Sequence, residues 1–162
     1  MKTQLRKLVV LIGLGGLLLL AACGGGGAAS SGGGGAASGG SATIEITADG
    51  ENLAFNKTTL EAAAGQQVSL TFKNTSAVQQ HNWVLVSGGD SAASKIASDG
   101  LAAGLAANYL PANNTNVLAH TKVLDGGASE TVTFTAPSAG TYLFICTVPG
   151  HYPLMQGTMT VK

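Results

Sequence analysis

The sequence predicts an all-β domain: a β-sandwich of two sheets with Greek-key connections and a short helical insertion. Three observations carry that expectation. Six short runs rich in Val, Ile, Thr, Phe and Tyr follow one another, separated by Gly, Asn, Asp or Pro. Two of them alternate strictly between apolar and polar residues, as strands with one buried face do. A single Ala-rich stretch of helical composition interrupts the series.

The chain of 162 residues begins differently. Lys2, Arg6 and Lys7 precede an apolar run from Leu8 to Ala22. That run is short for a membrane-spanning helix, which needs about 20 apolar residues. A basic start, a short apolar core and small residues before a cut site describe a secretory leader over residues 1–22. Leu20-Ala21-Ala22-Cys23 resembles a bacterial lipobox, in which the cysteine is acylated and becomes the new N-terminus. The alternative is an uncleaved, slightly short anchor helix. Both readings place the domain at the extracytoplasmic (periplasmic) face of the cell membrane. After Cys23, residues 24–41 are only Gly, Ala and Ser, with "GGGGAAS" occurring twice. Such a segment buries too little apolar surface to offset chain entropy. Residues 23–41 therefore read as a lipidated cysteine and a flexible tether, with a root-mean-square span of roughly 20–25 Å.

Residues 42–162 carry the strands, in order "TIEIT", "QVSLTFKN", "NWVLV", "ETVTFTA", "TYLFIC" and "GTMTVK". Val68, Leu70 and Phe72 alternate with Ser69, Thr71 and Lys73, and Val132 and Phe134 with threonines, the pattern of antiparallel sheets with one wet face. Six such strands favour two packed sheets. The insertion runs from Ser91 to Asn114 and predicts one or two short helices, weakened by Gly100 and Gly104 and stopped at Pro111.

Loss of the leader leaves five basic and eight acidic side chains, a net charge of −3. That mild acidity argues against nucleic acid as a partner. No phosphate loop, dinucleotide fingerprint or nucleophile elbow occurs, and no enzymatic activity is expected. Of the two cysteines, a lipidated Cys23 leaves Cys146 as an unpaired thiol in an oxidising compartment. Such a thiol is either buried and inert or bound by something.

The stretch "CTVPGHYPLMQG" sets Cys146, His151 and Met155 on one turn between two strands. Three readings are open from the spacing: a buried cysteine beside incidental neighbours, a Cys–His nucleophilic pair, or three ligands of one metal. The nucleophile reading leaves Met155 and "QHNW" unexplained. Thiolate, imidazole and thioether form a soft donor set suited to copper, and two histidines, a cysteine and a weak axial methionine make blue-copper electron-transfer sites. The second histidine is His81, at the start of "NWVLV", or His120, which reads as a surface residue. Met159 and Trp83 read as core.

"CTVPGH" followed by "LMQGTMTV", with "QHNWVLV" upstream, resembles the blue copper (type 1) cupredoxins, the azurins and above all the auracyanins. The resemblance covers residues 42–162, and the insertion is similar to the helical flap of azurins. It implies a cupredoxin β-sandwich with one copper ion, Cu(I)/Cu(II), held by His81, Cys146 and His151 with Met155 as the weak axial ligand. It implies a weak carbonyl contact from Gln80, where azurins usually have glycine. It gives Asn82 the task of tying the ligand segments together, and makes Leu53, Val148, Pro153 and Leu154 an apolar docking patch around His151. The structural disulfide of azurins has no counterpart here. The function so implied is a monomeric one-electron carrier between membrane redox complexes, with a quinol-oxidising complex as donor and a photosynthetic reaction centre or an oxidase as acceptor. A copper carrier that delivers metal to another protein is the alternative.

Overall fold

The computed structural model describes residues 40–162, so the leader, Cys23 and nearly all of the tether lie outside the described residues. Among the described residues, nine strands form two sheets. The first contains β1 (Ala42–Asp49), β2 (Asn52–Phe55), β4 (Gln67–Lys73) and β7 (Ser129–Thr135), in the order β2-β1-β4-β7. The second contains β3 (Thr59–Ala62), β5 (Val84–Val86), β6 (Val117–His120), β8 (Gly140–Ile145) and β9 (Gln156–Val161), in the order β3-β9-β8-β5-β6. Helix α1 (Gly89–Ala103) and a 3-10 turn (Leu105–Ala107) make up the insertion between β5 and β6. No helix among the described residues is long and apolar enough to cross a membrane.

Alternation reported which faces are buried, and it was right: Val68, Leu70 and Phe72 are all fully buried. It did not report strand direction. β1 runs parallel to β4 and β3 parallel to β9, so both sheets are mixed rather than antiparallel. The cause is topological. After β2 the chain crosses to the second sheet for β3 and returns beside β1 as β4, in the same direction as β1.

The space between the sheets is filled by Ile46, Leu70 and Phe72 from one side and Leu85, Phe144 and Met159 from the other. Phe55 bridges them, with its ring edge-on to Phe72 and Phe144 at centroid distances of 5.8 and 5.3 Å. Trp83 is fully buried in the same cluster. A second cluster lies on the outer face of the second sheet, where Val84, Val86 and Ile145 meet Ala93 and Ile96 of α1. That cover explains why "NWVLV" lacks alternation, since β5 is buried on both faces.

Gly100 sits inside α1, where composition counts against it, because the chain folds back there. A Cβ at this position would collide with the backbone carbonyl of Tyr109, so only glycine lets the 3-10 turn close against the helix.

Candidate metal centre

The site lies at one end of the sandwich, where three segments converge. Cys146 follows the last residue of β8, and its N–H donates to the Met155 carbonyl at 3.0 Å. The loop between them is closed internally, with His151 N donating to Val148 O at 3.0 Å and Met155 N to His151 O at 2.9 Å. The third segment brings His81, which exchanges two backbone hydrogen bonds with Leu124 (3.2 and 2.8 Å) just before β5 begins. His81 therefore precedes the strand it was expected to open, on an isolated bridge.

These segments aim three donor atoms at one point. Cys146 Sγ lies 3.8 Å from His81 Nδ1 and 3.5 Å from His151 Nδ1, and the two Nδ1 atoms are 3.1 Å apart. A triangle with those edges has a centre about 2.0 Å from each corner, close to ordinary metal–nitrogen and metal–sulfur bond lengths of roughly 2.0–2.3 Å. Cys146, His81 and Met155 are fully buried, whereas His151 is half-buried. Among the described residues, His81, Cys146 and His151 form the cluster able to hold a metal ion. His120 ends β6 exposed, its Nδ1 near its neighbour's carbonyl. Met159 packs in the core.

Burial sets the protonation of the three donors in the metal-free protein. It holds His81 down to about 4, with the neighbouring His151 adding to the effect, and it lowers His151 too. It pushes the Cys146 thiol up to about 11. At neutral pH the site is thus a thiol and two neutral imidazoles, whose inward nitrogens offer lone pairs. An Nδ1 lone pair on His81 leaves its proton on Nε2, which is buried without a hydrogen-bond partner among the described residues. The soft donor set, its spacing and its dryness fit copper.

Asn82 joins the segments that carry His81 and Cys146. Its Oδ1 accepts from Thr147 N at 2.8 Å, and its Nδ2 donates to Thr147 Oγ1 at 2.8 Å and to Asn108 O at 3.1 Å. Thr147 and Asn108 escaped the sequence reading, although Thr147 directly follows Cys146. Tyr152 escaped it too: its hydroxyl donates to Asp90 Oδ1 at 2.6 Å and pins the ligand loop to α1. Gln80 turns its side-chain amide to Asp125 Oδ1 at 2.7 Å. Of the residues expected in an apolar patch, Leu154 is 68% exposed and Pro153 is exposed, while Val148 and Leu53 are half-buried.

A mixed β-sandwich that closes over one cysteine, two histidines and a buried methionine defines a mononuclear copper protein. The chain belongs to the plastocyanin/azurin family of copper binding proteins, whose model matches residues 42–162. It is 61% identical over 120 residues to auracyanin-A of Chloroflexus aurantiacus, a match covering 74% of each chain. It is 40% identical over 130 residues to an azurin of Pseudomonas fluorescens, covering 75% of this chain and all of the azurin. Among solved structures, auracyanin A, described as a "blue" copper protein from a green thermophilic photosynthetic bacterium, superposes with a TM-score of 0.74. That match has 60% identity and covers 75% of this chain and 99% of the other. Dithionite-reduced auracyanin of the photosynthetic bacterium Roseiflexus castenholzii gives 0.73 at 52% identity, covering 76% and 99%. The cofactor of this chain is copper.

Proposed function

We propose that this protein is a membrane-tethered carrier of single electrons. His81, Cys146 and His151 would hold the copper ion as its strong ligands, with the Met155 thioether and the Gln80 carbonyl as weaker ones. Bound copper supplies the one-electron chemistry by alternating between Cu(I) and Cu(II). The remaining work belongs to the chain. Hydrogen bonds through Asn82 and within the 146–156 loop fix the donors before metal arrives, so a change of charge meets little movement of ligands. Burial of Cys146, His81 and Met155 excludes water.

The observation that carries the reading is the asymmetry of the triangle. Two donors are sealed in the sandwich, and the third, His151, rises toward the surface beside exposed Leu154 and Pro153. One ligand edge amid an apolar rim suits a brief docking partner, and exposed apolar patches mark such surfaces. The partners proposed are membrane redox complexes: a quinol-oxidising complex as donor, and a photosynthetic reaction centre or an oxidase as acceptor. The relatives from photosynthetic bacteria support the photosynthetic choice. Acylation of Cys23 holds the domain at the extracytoplasmic face, with residues 24–41 as the tether. Incorporation of labelled fatty acid into wild type but not Cys23→Ser tests the anchor.

Leu154→Glu tests the route. Leu154 supplies no ligand atom, so the copper spectrum stays as in wild type, whereas a carboxylate desolvated at the centre of a docking patch costs several kcal/mol. In stopped-flow mixing of reduced protein with acceptor membranes, the variant transfers electrons at least tenfold more slowly than wild type. Equal rates with both sites blue remove this patch as the docking surface. Transfer of copper rather than charge to the acceptor would make the protein a metal carrier.

A further inference from the structure

We propose that Glu51 is a positioning residue of the copper centre: it fastens the segment that delivers His81, and its negative charge lowers the reduction potential. The proposal rests on the ligand role given to His81 above.

Between the end of β4 at Lys73 and His81, the chain has no strand to hold it. Its shape comes from side chains instead. Glu51 lies in the turn joining β1 to β2 and reaches across to this segment. One carboxylate oxygen accepts from Ala77 N at 2.6 Å, and the other accepts from Ser76 Oγ at 2.8 Å and from Gln79 Nε2 at 3.4 Å. The Glu51 carbonyl also accepts from Gln79 Nε2, at 2.8 Å. Ser76, whose hydroxyl donates to Glu51, accepts at Oγ from Val78 N at 3.1 Å and Gln79 N at 2.7 Å. Every residue from Ser76 to Gln79 is thus tied to the carboxylate directly or through one hydroxyl.

From the other side, Asn74 donates to Gln79 O at 2.7 Å and to Leu124 O at 2.9 Å. Leu124 is the residue that bridges to His81. Glu51 and Asn74 together therefore set where His81 emerges. The bonds to Glu51 are charge-assisted, roughly twice as strong as neutral ones, which suits an exposed clamp that must compete with water.

The same group carries the electrostatic half of the proposal. The Ala77 and Ser76 hydrogen bonds hold the Glu51 carboxyl below its ordinary range, so it is charged at neutral pH. Its hydrogen bonds to Ala77 N and Gln79 Nε2 fix that charge on residues four and two positions before His81. The oxidised centre carries one more positive charge than the reduced one. A fixed negative charge on the segment that delivers a ligand stabilises the oxidised form and lowers the potential.

The two halves separate experimentally in the copper-loaded full-length protein. Glu51→Gln keeps the size and one acceptor oxygen while removing the charge. Ser76→Ala keeps the charge and removes the hydroxyl hub. Glu61→Gln is the control, because Glu61 pairs with Lys162 near the end of β9 remote from the site. Redox titration of Glu51→Gln gives a potential above wild type, with a rise larger than that of Glu61→Gln. Hydrogen exchange of Ser76→Ala is at least tenfold faster at residues 77–81, and its copper hyperfine splitting differs from wild type. A Glu51→Gln potential no higher than that of the control overturns the proposal. So does a Ser76→Ala protein that matches wild type in both exchange and hyperfine splitting. A wild type without a blue centre would instead overturn the function on which the proposal rests, and the two failures are distinct.

Discussion

Removing the Asn82 side chain tests whether the ligand segments are held by the bonds described. Asn82 is fully buried and Thr147 almost so. Asn82→Ala deletes three hydrogen bonds, to Thr147 N, Thr147 Oγ1 and Asn108 O. The last two partners already share a weak bond, Thr147 Oγ1 donating to Asn108 O at 3.5 Å, and keep it. Thr147 N has no substitute, and a buried donor left unpaired costs about 1–3 kcal/mol. Adding the net value of the remaining bonds, about 1 kcal/mol each, gives a destabilisation of roughly 3 kcal/mol. For a domain of this size that lowers Tm by about 10 °C. Urea unfolding of the copper-free protein measures it, with an unchanged m-value showing that the unfolded state is not the cause. Asn56→Ala is the control, since it removes one exposed bond to Thr47 N and costs less than about 1 kcal/mol. An Asn82→Ala protein no less stable than that control would refute the reasoning.

Two other outcomes follow from the geometry. A methyl group at Gly157 would collide with the Phe144 ring and come within 2.7 Å of Thr58 O. Phe144 is locked against Phe55 and cannot yield, so Gly157→Ala destabilises by about 3 kcal/mol, the upper range for overpacking, and a loss under about 1 kcal/mol in urea unfolding would contradict this. Protonation gives the third. With the Cys146 thiol up to about 11 and both histidines neutral, copper uptake at pH 7.5 releases about one proton per ion, countable with an indicator dye in weak buffer; release of none or of three would contradict it. His81 titrates at about 4 when folded and near 6.5 when unfolded, so its contribution to copper-free stability is complete above pH 6.5 and lost as pH falls toward 4.

The ligand loop was legible because Cys146, His151 and Met155 are close in sequence, and their chemistry is unusual as a set. His81 was legible only through "QHNW", since nothing local says that β5 pairs with β8 and so brings it beside Cys146. Residues whose role depends wholly on folding left no mark. Glu51 and Ser76 are 25 apart in sequence, and Tyr152 and Asp90 are 62 apart, each an ordinary polar residue in an ordinary turn or helix. Among the strands, those with several alternating residues were found. β2, β3 and β6 are four residues long and offer too few repeats of the period to be seen. Parallel pairing was hidden for a related reason, because a strand's own pattern does not record the crossover that precedes it.

The central claim is that Cys146, and not merely some part of this loop, binds copper as a thiolate beside His81 and His151. The visible absorption spectrum of the purified, oxidised protein tests it most directly. Oxidised wild type shows an intense band in the orange-red that makes it blue or blue-green. Cys146→Ser abolishes the band, and His120→Ala leaves it intact. A colourless oxidised wild type with copper bound, or a band that survives Cys146→Ser and disappears in His120→Ala, would contradict it.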